Sequence, residues 1–112
     1  MEGAANALPI NPPGRILPSP TYMGLTGVLG LAFNAHGRLY ALETSAPGFP
    51  SPGTGRVLRL KLHQQPEVIA TGLSFPTAMT FGPDGSLYVS NFGYGYPPGS
   101  GQVVRITVPS SD

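Results

Sequence analysis

An all-β chain of short antiparallel strands is what the sequence predicts, and three observations carry that expectation. Apolar runs rich in Val, Leu, Ile, Tyr and Phe are brief and are separated by clusters of Gly and Pro, the way strands alternate with turns. Two stretches of the chain repeat one another in the same order. A turn signal, His36-Gly37 in one copy and Asp84-Gly85 in the other, falls at the same place in each.

The repeat organises everything else. Residues 30–40 (GLAFNAHGRLY) lie over residues 78–88 (AMTFGPDGSLY), so that Phe33 matches Phe81, Gly37 matches Gly85, and Leu39-Tyr40 matches Leu87-Tyr88, each 48 positions on. Residues 52–60 (PGTGRVLRL) lie over residues 98–106 (PGSGQVVRI), 46 positions on, and Gly24-Leu25 lies over Gly72-Leu73. Three matched blocks in one order, with a two-residue gap inside a loop, mark an internal duplication.

Each copy predicts four strands. The first covers 29–33 or 77–81, where small residues (Gly30, Ala32; Ala78, Thr80) alternate with large ones (Leu31, Phe33; Met79, Phe81). A two-residue hairpin turn with positive φ at both central residues leads to the second, over 38–43 or 86–91. A long Gly/Pro loop precedes the third, over 56–62 or 102–108. There Leu58, Leu60 and Leu62 alternate with Arg59 and Lys61, as a half-exposed outer strand would. The fourth covers 67–71, with a weaker counterpart around 21–23. Four antiparallel strands in a repeat of about 45 residues are the unit of a β-propeller. A β-sandwich would explain the strands but not the duplication. The expected organisation is a Pro-rich arm over 1–20, one blade over 21–68 and a second over 69–112.

Two blades cannot close a ring. Along the chain the order is fourth–first–second–third, twice over, so the second blade lacks its last strand and leaves residues 103–108 as an open, β-branched edge. Copies of the chain are expected to supply what is missing. A homotrimer gives six blades and a homotetramer eight, with the trimer preferred. Doubling the blade–blade interfaces per chain is worth on the order of 10 kcal/mol at ~25 cal/mol per Å2, comparable to the whole stability of a small domain.

Composition excludes several classes. The six basic side chains are scattered and the net charge is +1, so nothing favours nucleic acid or an anionic membrane surface. Without cysteine there is no disulfide, thiolate metal site or thiol nucleophile. No run approaches the ~20 apolar residues of a membrane span, and residues 1–20 lack the basic and apolar regions of a signal peptide.

The loops after the second strands, residues 44–55 and 92–101, are long and aromatic. With the turn at Phe75 they bring Phe49, Phe92, Tyr94 and Tyr96 to one end of the blades, a surface suited to a glycan, a flat small molecule or a protein. Glu43 and Asn91 occupy matched ends of the second strands. Repeated around a ring, they are candidate oxygen ligands for a hard cation such as Ca2+. No catalytic constellation is present: His36 and His63 lie in turns without a nearby nucleophile and carboxylate, and no nucleophile elbow, HExxH or P-loop motif occurs.

Residues 72–93 (GLSFPTAMTFGPDGSLYVSNFG) followed by 97–106 (PPGSGQVVRI) resemble the C-terminal blades of the ScyD/ScyE family, NHL-like β-propellers associated with scytonemin pigment gene clusters. The likeness covers about residues 21–108. It implies a propeller fold and an extracytoplasmic location. Family members are several times longer and close the ring within one polypeptide, usually after a secretion signal, and this chain departs on both points. The wider gluconolactonase-like propellers hold an axial metal with Glu, Asn and Asp, and only Glu43 and Asn91 match that set. The expectation is therefore a non-enzymatic oligomeric binding or scaffold module. A metal-dependent lactonase-like hydrolase and a ligand-free self-assembling fragment are the alternatives.

Overall fold

The computed structural model describes residue 14, residues 22–45 and residues 51–109. Within them lie seven strands: β1 (Val28–Phe33), β2 (Leu39–Glu43), β3 (Gly55–Arg59), β4 (Glu67–Leu73), β5 (Ala78–Phe81), β6 (Leu87–Asn91) and β7 (Gln102–Ile106). They form two antiparallel meanders, β1-β2-β3-β4 and β5-β6-β7, and no helix occurs among the described residues. All seven fall on expected segments. The second sheet has three strands rather than four. Tyr22 and Met23, within the segment expected to form a weak strand, are not in a strand.

The duplication is written into the backbone as well as the sequence. Left-handed residues recur 48 positions apart: Gly24 (φ 79°) with Gly72 (83°), Gly27 (57°) with Phe75 (50°), and Gly37 (80°) with Gly85 (80°). Gly53 (77°) and Gly99 (86°) recur at the second offset of 46.

Pleating sends Tyr40 and Leu42 to one face of the first sheet and Ala41 to the other. The face of Tyr40, Leu42 and Val57 packs against Leu87 and Val89, joined by Met79, Phe81 and Ile106 of the second sheet. The Phe81 ring meets Tyr40 edge-on at 5.0 Å, a geometry that aligns ring edge with ring face. The opposite face of the first sheet carries Ala41, Leu58 and Leu60, with Tyr22, Leu25 and Leu39 packed on them. Here the two copies part company. Met79 and Phe81 are half-buried between the sheets, whereas their counterparts Leu31 and Phe33 remain 59% and 65% exposed.

Two expectations are corrected. The third strands end at Arg59 and Ile106, and β3 is an interior strand paired on both sides, with both Val57 and Leu58 fully buried. Its basic residues are accommodated because Glu67 of β4 pairs with Arg59 (2.9 Å) and Lys61 (3.4 Å). The hairpin turns place only Gly37 and Gly85 at positive φ, not both central residues. In the second, Gly85 N–H donates to the Gly82 carbonyl (3.0 Å). The four-residue turn therefore runs from Gly82 to Gly85 with Pro83 at its second position, and the proline ring forbids the positive φ of a two-residue turn. Asn34 and Asp84 hold the two turns from within, each accepting N–H groups on its side-chain oxygen: His36 and Arg38 on Asn34 Oδ1, Ser86 on Asp84 Oδ1.

Asp84 also accepts the Tyr88 hydroxyl (2.8 Å). That bond first, and the Ser86 N–H second, hold its carboxyl below the ordinary 3.8. A carboxyl lowered in this way contributes stability above its unfolded value and loses that contribution as pH falls through the folded value. Tyr88→Phe is expected to move the Asp84 midpoint upward towards 3.8 in a carboxyl-carbon NMR titration. A midpoint unchanged by the substitution would mean the hydroxyl is not the cause.

Candidate functional site

Ser74 builds the platform under the aromatic loops. Its N–H donates to Asn91 Oδ1 (2.8 Å), its carbonyl accepts Phe92 N–H (2.9 Å), and its hydroxyl accepts Gly53 N–H (2.8 Å). One residue thus ties the β4–β5 turn to the end of β6 and to the β2–β3 loop. Pro76 is buried beside it. The Phe75 carbonyl accepts the Gly93 N–H (2.9 Å), and Gly93 is required there. A Cβ would collide with the Thr77 side chain and stand 3.0 Å from that carbonyl.

On this platform four of the five expected aromatics come together. Phase by phase along the cluster, Phe75 lies 4.9 Å from Tyr94 and 6.3 Å from Tyr96, and Tyr96 meets Phe92 edge-on at 4.7 Å. The Tyr94 hydroxyl sits 3.4 Å from Thr44 Oγ1 of the first sheet. Tyr94 is exposed while Phe75, Phe92 and Tyr96 are half-buried, so the cluster offers one exposed ring, tied to the first sheet through its hydroxyl, above supported rings. Phe49 lies outside the described residues.

Phe75 (φ 50°) and Phe92 (φ 54°) both adopt the left-handed backbone conformation. A bulky residue pays on the order of 1–3 kcal/mol for it. In the first copy the position matching Phe75 is Gly27, with the same φ and no such cost. The aromatic side chain is therefore retained at a backbone position where glycine suits the fold better. Residues at such strained positions concentrate at binding sites.

Glu43 and Asn91 are placed at matched strand ends but are turned to internal work. Glu43 is 1% exposed; its Oε2 accepts Thr26 N–H (2.8 Å) and its Oε1 takes Arg56 Nε (2.8 Å) and Nη2 (2.7 Å). Asn91 accepts Ser74 N–H, the residue matching Thr26, and donates to Gln102 Oε1 (3.3 Å). Glu43 faces Arg56 across β2–β3, and Asn91 faces Gln102 across β6–β7. A charged pair in one copy has become an amide pair in the other, at the same cross-strand site. The 48- and 46-residue offsets match Glu43 to Asn91 and Arg56 to Gln102 in the sequence, and the strand register adds which of them face each other. No group of three or more acidic, His or Cys side chains gathers among the described residues. His36 and His63 are exposed turn residues.

Removing the buried carboxylate strands Arg56 and the Thr26 N–H. Glu43→Ala is expected to cost about 2–3 kcal/mol, and Asn91→Ala about 1 kcal/mol, both read as a drop in urea midpoint. With both Glu43 oxygens engaged, millimolar Ca2+ is expected to leave the Tm of the unmodified chain unchanged. A Ca2+-dependent rise that Glu43→Ala abolishes would return the residue to a metal-binding role.

No protein-family model matches the chain, and no curated protein or solved structure matches it. The two matched sheets and the aromatic cluster are what the functional reading stands on.

Proposed function

We propose that the two sheets are successive blades of a β-propeller, that three copies of the chain close a six-bladed ring, and that the ring is a non-enzymatic binding module whose loop face takes a glycan or flat small molecule. The observation carrying this reading is the mismatch between equivalent faces. Met79 and Phe81 pack on the first sheet, while Leu31 and Phe33, at the same positions one repeat earlier, are exposed. What the second sheet's inner face finds within the chain, the first sheet's face has to find elsewhere.

The same packing operation, applied between copies, sets Leu31 and Phe33 of one chain on the outer face of the second sheet of the next. That is a heterologous contact, and such contacts form closed rings when the rotation closes. With Leu29 half-exposed and Val103 71% exposed, covering these four side chains is worth on the order of 5 kcal/mol per contact. Several large exposed apolar side chains on one strand, Leu29, Leu31 and Phe33, mark an interaction face.

The ligand face is supported by geometry at one end of both sheets. Phe75, Phe92, Tyr94 and Tyr96 cluster aromatic rings of the kind that stack on the apolar face of a sugar or on a planar ring. The opposite end carries the tight Asn34–Gly37 and Gly82–Gly85 turns and offers no aromatic cluster among the described residues.

Light scattering on the purified chain is expected to give three times 11.6 kDa, and Leu31→Asp with Phe33→Asp to give the single-chain mass. A monomeric parent chain overturns the ring; a mass of four chains keeps it and sets eight blades. Since the chain has no Trp and two of its five tyrosines, Tyr94 and Tyr96, lie in the cluster, tyrosine fluorescence responds to a ligand there. Titration with aryl glycosides is expected to quench it, and Phe92→Ala or Tyr96→Ala to weaken binding at least tenfold at unchanged mass. Quenching that survives both substitutions would move the ligand elsewhere.

A further inference from the structure

We infer that the segment ending at Leu25 in one copy is the fourth strand of the three-stranded sheet in the next, pairing with the open edge of β7 so that Tyr22 stands opposite Val103 and Leu25 opposite Gly101. This rests on the ring of copies proposed above and specifies the connection that closes it.

Equivalent positions of the two copies define this pairing. In the first sheet β4 pairs with β3, with Ala70 opposite Val57 and Leu73 opposite Gly55. The positions matching Val57 and Gly55 in the second copy are Val103 and Gly101, and the positions matching Ala70 and Leu73 in the preceding one are Tyr22 and Leu25. Among the described residues β7 has only β6 beside it, and Val103 is the most exposed large hydrophobic side chain of its sheet at 71%.

Three features show Tyr22–Leu25 already arranged as the end of such a strand. Gly24 has the left-handed φ of Gly72, which lies at the irregular end of β4 between the pairs Ala70–Val57 and Leu73–Gly55. The Thr26 N–H donates to Glu43 as the Ser74 N–H does to Asn91, both at 2.8 Å, so the chain crosses from this segment into β1 by the route it takes from β4 into β5. Leu25 and Tyr22 pack on the Ala41–Leu58–Leu60 face of the first sheet, and their counterparts Leu73 and Ala70 take part in the core that Leu87 and Val89 of the second sheet help to form. The crossing is in place, and among the described residues the sheet it should have come from is not found in the same chain. A second copy carries that sheet with its edge vacant. Backbone pairing on an open edge supplies the affinity, and the pleat fixes the register.

The chain has no cysteine, so two introduced thiols are the only ones present. Tyr22→Cys combined with Val103→Cys, oxidised in the full chain and run without reductant, is expected to yield covalent species of up to three chains. Either single variant is expected to stop at two. On the unmodified chain, hydrogen exchange is expected to show slow amides on both sides of β7, because alternate amides point away from β6 and are protected only if another strand takes them. A three-chain mass in solution with no cross-link beyond two chains and with alternate β7 amides exchanging fast overturns the strand donation and leaves the ring standing. A single-chain mass overturns both, and a disulfide closing within one chain overturns the donation between copies.

Discussion

Packing of Met79 and Phe81 across Tyr40, Leu42 and Val57 is the contact on which the rest of this molecule depends. A short meander has two faces and cannot bury either against water. Here one face of each sheet is satisfied by the other, and that single contact fixes how the β4–β5 crossing, the Ser74 platform and the aromatic loops stand relative to one another. Among the described residues it also leaves the Leu29–Phe33 face on one side and the outer edge of β7 on the other. One copy keeps Leu31 and Phe33 where the other has Met79 and Phe81, so on the proposed ring the chain's own internal contact is the template for the contact between copies.

The two copies have diverged most where the fold has least need of them. The turns, the left-handed glycine pairs Gly24/Gly72, Gly37/Gly85 and Gly53/Gly99, and the side-chain bond that anchors each crossing have been kept, with Glu43–Arg56 exchanged for Asn91–Gln102. At the loop end, by contrast, Gly27 in one copy is Phe75 in the other, and Thr44 is Phe92. Divergence towards large rings at backbone positions that disfavour them runs against stability, which is the direction expected when a surface is being shaped for contact with something else.

Strand positions, the duplication and the shared end of the aromatic loops were legible because period-two alternation and Gly/Pro punctuation are local signals. The turn geometry was not, because Asp-Gly alone signals a two-residue hairpin, and it is Pro83 one position earlier that excludes it. Nor was the burial of β3: Arg59 and Lys61 read as solvent-facing until Glu67 is known to lie beside them. The role of Glu43 depended on cross-strand register, which a loop of a dozen residues between β2 and β3 hides from spacing alone. Phe75 and Phe92 could be placed on one face but not in their conformation, since backbone handedness at a non-glycine residue leaves no mark in composition.

Among the described residues the aromatic cluster comes from the β4–β5 turn and the β6–β7 loop, and the first sheet adds the Thr44 hydroxyl to it. On the proposed ring every other blade would therefore be armed, giving three identical sites at one end, related by threefold symmetry and facing the same way. Such an array gains little on a single soluble molecule but a great deal on a surface that displays its ligand repeatedly, where each engaged site raises the local concentration for the next. A weak individual site would then be no defect, and discrimination would lie in the spacing of targets rather than in any one of them.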